Sequence, residues 1–549
     1  MRKTSTRANC QACNITLAQD NHTTLCTACR HQAHEATLQP TTFPPDLWRT
    51  AYFADAFTAQ HMGKVCRASR EHPFHHTLHR RGISQTTIGN WMGLTQAQVS
   101  RIETGPPLRN LDLLAHWARV LAIPPDLLWF DLPDHLRRKN FPSPSTISPA
   151  TDLDPAVAAS QNAWRSVRQH LNTQRASLAH AAAALYPPHQ RLGKTPFLVR
   201  PGWVPPQPVP LHKISLQWAA RPNPPTITGT EPQARRLCPL RLPHVPYDRY
   251  TSAMRYLDPP RLFENRPSYR LLDLSWSEEA GQMRFGPAAY FDKIDISETI
   301  GHEVAEVLQQ HPHQNATAKQ ALQQYLAFRA LLGDPFNLRT RAVIPAITTL
   351  LLRRNRKQAT AEFFLHWRDP GHVATAGGLY DAIPAGEFQP AGLPAWSSVQ
   401  DFDLWRNIVR EFSEELLGTP EHNGSRSTPL DHDTWPLYRA LENARQAGAL
   451  RVYCLGVGLD ALTLAAAILT VLVIDDNTFA EVLPTPVSAN AEGILVTRLP
   501  HTPPARQGLS GIPFTKNNVH RLLTTEPVAS PGAACLTLAW QQKNILLHT

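Results

Sequence analysis

Three groups of residues in this chain have the types and spacing to do chemistry. Cys10 and Cys13 form one Cys-x2-Cys pair and Cys26 and Cys29 a second, with twelve residues between the pairs. Two such knuckles present four thiolates at the spacing of a tetrahedral zinc site. Four cysteines leave no open position, so zinc there would be structural and would supply folding energy to a segment too short to bury a core. The competing chemistries are two redox disulfides, or a substitute ligand among His22, His31 and His34. A second group is Glu411, Glu414 and Glu415, which share one helical face at i, i+3, i+4. Such carboxylates repel one another unless they bind a cation or pair with Arg406 and Arg410; hard oxygen ligands suit Mg²⁺ or Mn²⁺ held jointly with a diphosphate. The third group is Gln96, Ala97, Gln98 and Arg101, left pointing outward from a short helix. Gln pairs bidentately with adenine, Arg with guanine, and an Ala methyl touches a thymine methyl.

The outward residues need a helix held at a fixed angle, and Ile83 to Gly105 supplies the pattern. Ser84 precedes a helical run with Ile88 and Trp91 inward, and Gly93 breaks it where the chain must reverse through a positive-φ state. Thr95 opens the second helix, and Thr95-x-x-Gln98 reads as a capping box, which competes for the Gln98 amide. Val99 and Ile102 face the preceding helix. This spacing predicts a helix-turn-helix, whose second helix enters the major groove of DNA. The plainer alternative is a helix hairpin that packs a partner protein.

The same residues resemble the XRE (Cro/cI-type) family of bacterial transcriptional regulators. Gln85, Ile88, Gly93, Leu94, Thr95, Val99, Ser100, Glu103 and Gly105 fall at that family's signature positions, with Gly89 where Ala is usual. Leu111 to Phe130 resembles the closing helices. The resemblance implies that Gln85 holds a phosphate of double-stranded DNA while Gln96, Ala97, Gln98 and Arg101 face base edges. Regulators of this kind often bind as homodimers, although no strong heptad seam is present here.

Near the far end, three strand signals (Arg341 to Asn355, Glu362 to Asp369, Gly377 to Phe388) precede the helical run Trp405 to Gly418. Arg410-Glu411-Phe412-Ser413-Glu414-Glu415 resembles the second half of the Nudix signature, with Gly418 one residue late. The first half differs: Phe402 stands at the earlier Glu position, and a loop separates Gly386 from the helix. The resemblance implies an α/β/α sandwich with Glu411, Glu414 and Glu415 as metal ligands and Arg410 orienting carboxylates. Three readings stay open: the sandwich fold without activity, a pyrophosphohydrolase, or a solvated Glu-rich face. Most of the chain resembles long XRE-type regulators from actinobacterial genomes, in phrases such as YTSAMRYLDPPRLFENRPSYRLLDLSW and GGLYDAIPAGEFQP.

Length and composition frame these groups. A chain of 549 residues is too long for one core, and 50 prolines point to extended connections. Residues 1–145 carry 16 Lys/Arg against 10 Asp/Glu, over half of the net +10, which suits phosphate contact. The expected organisation is multidomain α+β: a four-cysteine zinc segment at 1–35, an all-α five-helix domain at 45–135, a flexible linker at 136–155, a mixed helical and proline-rich middle region at 156–335, and the Nudix-like sandwich at 336–549. The middle region reads equally as a ligand pocket or a scaffold. His72, His76 and His79 share a helical face and read better as a solvated face beside DNA than as a metal site.

The start, MRKTSTRANCQAC, is basic without an apolar run behind it, so no signal peptide is expected. Val452 to Ile474 approaches a membrane span in length but contains Asp460. It reads as strand (451–455), helix (460–469) and strand (471–474). Cys238, Cys454 and Cys535 read as buried thiols. The expected function is a cytoplasmic, sequence-specific DNA-binding regulator sensing a nucleotide or phosphorylated small molecule, without a membrane partner. The alternative is a Mg²⁺-dependent hydrolase of nucleoside diphosphate derivatives with accessory DNA-binding modules.

Overall fold

The computed structural model describes residues 48–72, 83–92, 94, 96–108, 111–130, 154–260, 263–310, 324–368, 378–391, 397–419, 430–483, 493–497 and 511–548. Cys10, Cys13, Cys26 and Cys29 lie outside the described residues, as do Gly93, Thr95, His76, His79 and nearly all of the expected linker. The chain forms two compact units, Met1–Pro149 and Ala150–Thr549.

The first unit is helical: α1 (Ala51–Thr58), α2 (Met62–Glu71), α3 (Gln85–Met92), α4 (Gln96–Thr104) and α5 (Leu111–Val120). Their apolar faces converge on a core that includes Trp48, Phe53, Val65, Ile88, Val99 and Trp117. Ser84 Oγ accepts from Thr87 N at 3.1 Å and so starts α3. Gly63 lets α2 press onto α4, because a Cβ there would overlap the Ile102 carbonyl. His72 is not on a solvated face: α2 ends at Glu71, and His72 is buried with its ring stacked on Phe53 at 5.4 Å.

The second unit opens with α6 (Pro155–Thr173), capped by Asp154, and α7 (Arg175–Ala183), with a break at Gln174 between them. Then follow β1 (Phe197–Leu198), β2 (Val209–Pro210), β3 (Ile214–Trp218), the hairpin of β4 (Leu240–Leu242) and β5 (Val245–Pro246), and α8 (Tyr250–Leu257). β6 (Pro267–Trp276) and β7 (Gly281–Ala289) form a hairpin that leads into α9 (Tyr290–Gln310) and α10 (Ala327–Leu332). Next come β8 (Ala346–Asn355), β9 (Thr360–Phe363), β10 (Leu365–Arg368), β11 (Tyr380–Ala382), β12 (Ala385–Glu387), α11 (Leu404–Leu416) and α12 (Pro436–Gln446). The unit closes with β13 (Leu450–Asp460), β14 (Ala466–Asp475), β15 (Gly493–Val496), β16 (Ile512–Pro513), α13 (Lys516–Thr525) and α14 (Ser530–Gln541).

Its main sheet runs β1-β13-β14-β8-β9-β16, with β12 also on β8 and β2 on β13. β14 pairs β8 in parallel and β13 antiparallel, so the sheet is mixed. Side chains alternate across it. Ala467, Leu469, Val471 and Val473 pack with Ala533, Leu536 and Ala539 of α14. Ile468, Leu472 and Ile474 pack with Ile408, Val409 and Phe412 of α11 and Ile300 of α9. Helices therefore cover both faces.

Two expectations are corrected here. Residues 460–469 are not a helix; they turn from β13 into β14, whose residues 466–474 are all buried. A strand covered on both faces reads as a continuous apolar run and loses the alternation that marks exposed strands. The expected boundary at 335/336 falls inside one unit, because β1 pairs β13 (Phe197 with Asp460) and α9 contributes to the core under the sheet. Among the described residues no helix is long and apolar enough to cross a membrane.

Candidate functional site

In the first unit a buried carboxylate organises the presented helix. The Glu103 side chain is 1% exposed. It accepts from Arg70 Nε at 2.7 Å and Nη2 at 2.9 Å, and from Gln85 Nε2 at 2.8 Å, with the Cys66 thiol 3.7 Å away. Gln96 Nε2 in turn donates to Gln85 Oε1. Hydrogen bonding to Glu103 raises the Arg70 guanidinium above its ordinary value, and burial above all raises the Cys66 thiol. Gln96 and Arg101 are exposed, Gln85 and Gln98 half-buried, and Val99 fully buried; the Ala97 side chain lies outside the described residues. Sequence reasoning gave Glu103 no role. Its signal is a charge four residues after Val99, on the helix's core face.

In the second unit a cleft with a cavity volume of about 280 Å³ contains Arg410, Glu411 and Glu414 of α11. Asp403 caps α11 by accepting from Arg406 N at 2.8 Å, and Gly418 follows its end with φ +65°. Glu411 accepts from Arg410 Nη2 at 3.0 Å and Asn407 Nδ2 at 3.3 Å, and it lies against Gly386 so closely that a Cβ would overlap its carboxylate. Glu415 does not join them. It is buried and accepts from Ala385 N at 2.8 Å, fastening α11 to β12. Phe402, at the earlier Glu position, packs among Tyr269, Phe285 and Phe388.

Distant segments complete the cleft. Asp460 accepts from Ser530 Oγ at 2.5 Å and from both Thr463 N and Oγ1 at 2.7 Å. The β13–β14 turn is pinned by buried guanidiniums: Arg329 donates to the Ala461 and Leu462 carbonyls, and Arg341 to the Leu464 carbonyl at 3.0 Å. Asp381 takes N–H bonds from Ala382 and Gly532, and burial pushes its carboxyl up to about 6 against the pull of Arg368. Arg175, Arg266, Lys293 and Glu298 come from the middle of the chain. No local pattern announces these residues, which are functional candidates only through their convergence.

Two cleft carboxylates, Glu411 and Glu414, are enough for a Mg²⁺ that keeps waters and shares a ligand phosphate. Among the described residues no three His, Cys, Asp or Glu side chains gather as a metal site. No family model matches this chain, and no curated protein does.

Proposed function

We propose that this chain is a sequence-specific DNA-binding transcriptional regulator whose second unit binds a nucleotide or phosphorylated small molecule. The observation that carries the reading is the series Arg70–Glu103–Gln85–Gln96, which fixes an exposed amide on α4, the helix that also carries the exposed Arg101. A preorganised Gln and Arg on the solvent side of the second helix of such a pair suit adenine and guanine edges in a major groove. On this reading the protein works in the cytoplasm as a homodimer, and Cys10, Cys13, Cys26 and Cys29 hold a structural zinc, expected at one per chain and lost from a Cys10→Ser variant. Ligand acts by binding the DNA-competent and incompetent states with different affinity.

The test is to select bound genomic fragments with the full chain and then measure Arg101→Ala against them. A loss of about 1–3 kcal/mol confined to one base position supports the assignment, and unchanged affinity and specificity removes it. The second reading, a Mg²⁺-dependent hydrolase of nucleoside diphosphate derivatives with a Nudix-like α/β/α fold, draws on the seating of Glu411 against Gly386. It requires Mg²⁺-dependent phosphate or mononucleotide release that Glu414→Gln abolishes.

A further inference from the structure

Two carboxylates of the cleft hang on one helix end. Ser530, the first residue of α14, donates from Oγ to Asp460 at 2.5 Å, and the Gly532 N–H two residues on donates to Asp381. Their other hydrogen-bond partners are neutral as well: Thr463 N and Oγ1 for Asp460, and Ala382 N for Asp381. Neither carboxylate makes an ion pair among the described residues, and Arg368 acts on Asp381 only from longer range. Asp381 lines the cleft while only 6% exposed, so its charge is buried there without a counterion. The end of α14 offers roughly half a positive charge against the two carboxylates. A buried charge left unbalanced is costly unless a counterion reaches it. The rest of the lining does not make up the difference, because seven carboxylates and five cations among the described residues face the cleft. Arg175, Arg266 and Arg410 already hold Glu298, Glu264 and Glu411 at 3.1, 3.2 and 3.0 Å, and Lys293 holds Glu387.

We propose that Asp460 and Asp381 form a subsite for a cationic nitrogen, an ammonium or guanidinium group carried by the cleft's ligand. The inference rests on the reading of the cleft as a ligand site, and it narrows the ligand to one that bears such a group besides its phosphate. A phosphate alone would add to the negative excess. Hydroxyl and amide donors orient both carboxylates in advance, so little freedom is lost when charged N–H groups dock and form charge-assisted hydrogen bonds. The two carboxylates come from β11 and from the end of β13, and only the first turn of α14 brings them to one place.

Calorimetric titration of the full chain with putrescine, at constant ionic strength, tests the subsite, with butanediol as the uncharged probe of the same length. Saturable binding of the diamine and none of the diol is expected. Asp460→Asn, which keeps an acceptor for Thr463 and Ser530, should weaken the diamine about tenfold or more. If that variant does not fold, Asp381→Asn reads the same subsite. Glu279→Gln, exposed between β6 and β7, is the control and leaves the affinity unchanged. Absence of saturable diamine binding by the wild-type chain, equal binding of the diol, or equal affinity in the folded variants overturns the proposal. ATP is titrated into the same preparations: ATP bound where the diamine is not removes the subsite alone, whereas neither bound removes the ligand reading of the cleft with it.

Discussion

Gln85 donates a 2.8 Å hydrogen bond to Glu103, so the first residue of α3 and the last turn of α4 are joined through a buried carboxylate. The same amide receives Gln96 on its oxygen, which ties the exposed edge of α4 to the interior. Arg70 supplies the compensating charge from α2. Three helices thereby depend on one side chain.

Replacing Glu103 by Ala takes the shared buried acceptor from Arg70 and Gln85 and leaves Arg70 to Glu71, 2.9 Å away at the end of α2. The first unit is expected to lose about 3 kcal/mol of stability, as for other buried pairs broken from one side. Hydrogen exchange of residues 48–130 measures it; protection equal to wild type would show that the carboxylate is dispensable.

Gly63 and Gly386 both abut another element, with opposite consequences. At Gly63 the obstacle is the backbone carbonyl of Ile102, which cannot swing aside. Gly63→Ala should destabilise the first unit by roughly 2 kcal/mol, in the range of overpacking. Denaturant unfolding reads the change as a lower midpoint at unchanged slope.

At Gly386 the obstacle is the end of the Glu411 side chain, which can rotate away. Gly386→Ala is therefore expected to cost under about 1.5 kcal/mol while displacing Glu411 from Arg410. On the proposed hydrolase reading, in which Glu411 and Glu414 hold Mg²⁺, the measurable sign is weaker Mg²⁺ binding than in the unsubstituted chain at a nearly unchanged melting temperature.

His302 shares a 3.0 Å hydrogen bond with the Tyr250 hydroxyl, and burial, then the Arg168 charge, lowers its imidazole to about 3. In the unfolded chain a histidine titrates near 6.5. As pH falls below that value the unfolded state takes a proton that the folded state refuses. His302 thus contributes stability that is present above about 6.5 and is lost on acidification toward 3. His302→Gln should flatten the pH dependence of the second unit's unfolding free energy by about 1.4 kcal/mol per pH unit between pH 6 and 4. An unchanged slope would place the titration elsewhere.

Much of the candidate DNA surface was legible in the chain because it is local. Helix period, the Ser84 start and the exposure of Gln96 and Arg101 follow from spacing over some twenty residues, and α3 and α4 form where that spacing puts them. α11 was legible for the same reason, as the helical run Trp405 to Gly418. Even there, spacing placed Glu415 with Glu411 and Glu414, whereas the neighbouring strand draws it inward through Ala385 N.

What the sequence by itself determined is which short segments are helices or strands and which polar residues they carry outward, since hydrogen bonds within a helix and alternation along a strand are set by near neighbours. Tertiary structure alone decided the cleft. Arg175 meets Glu298 across 123 positions and Arg341 reaches the Leu464 carbonyl across another 123. Such pairings depend on sheet register and on burial on both faces of β14, which no local pattern encodes.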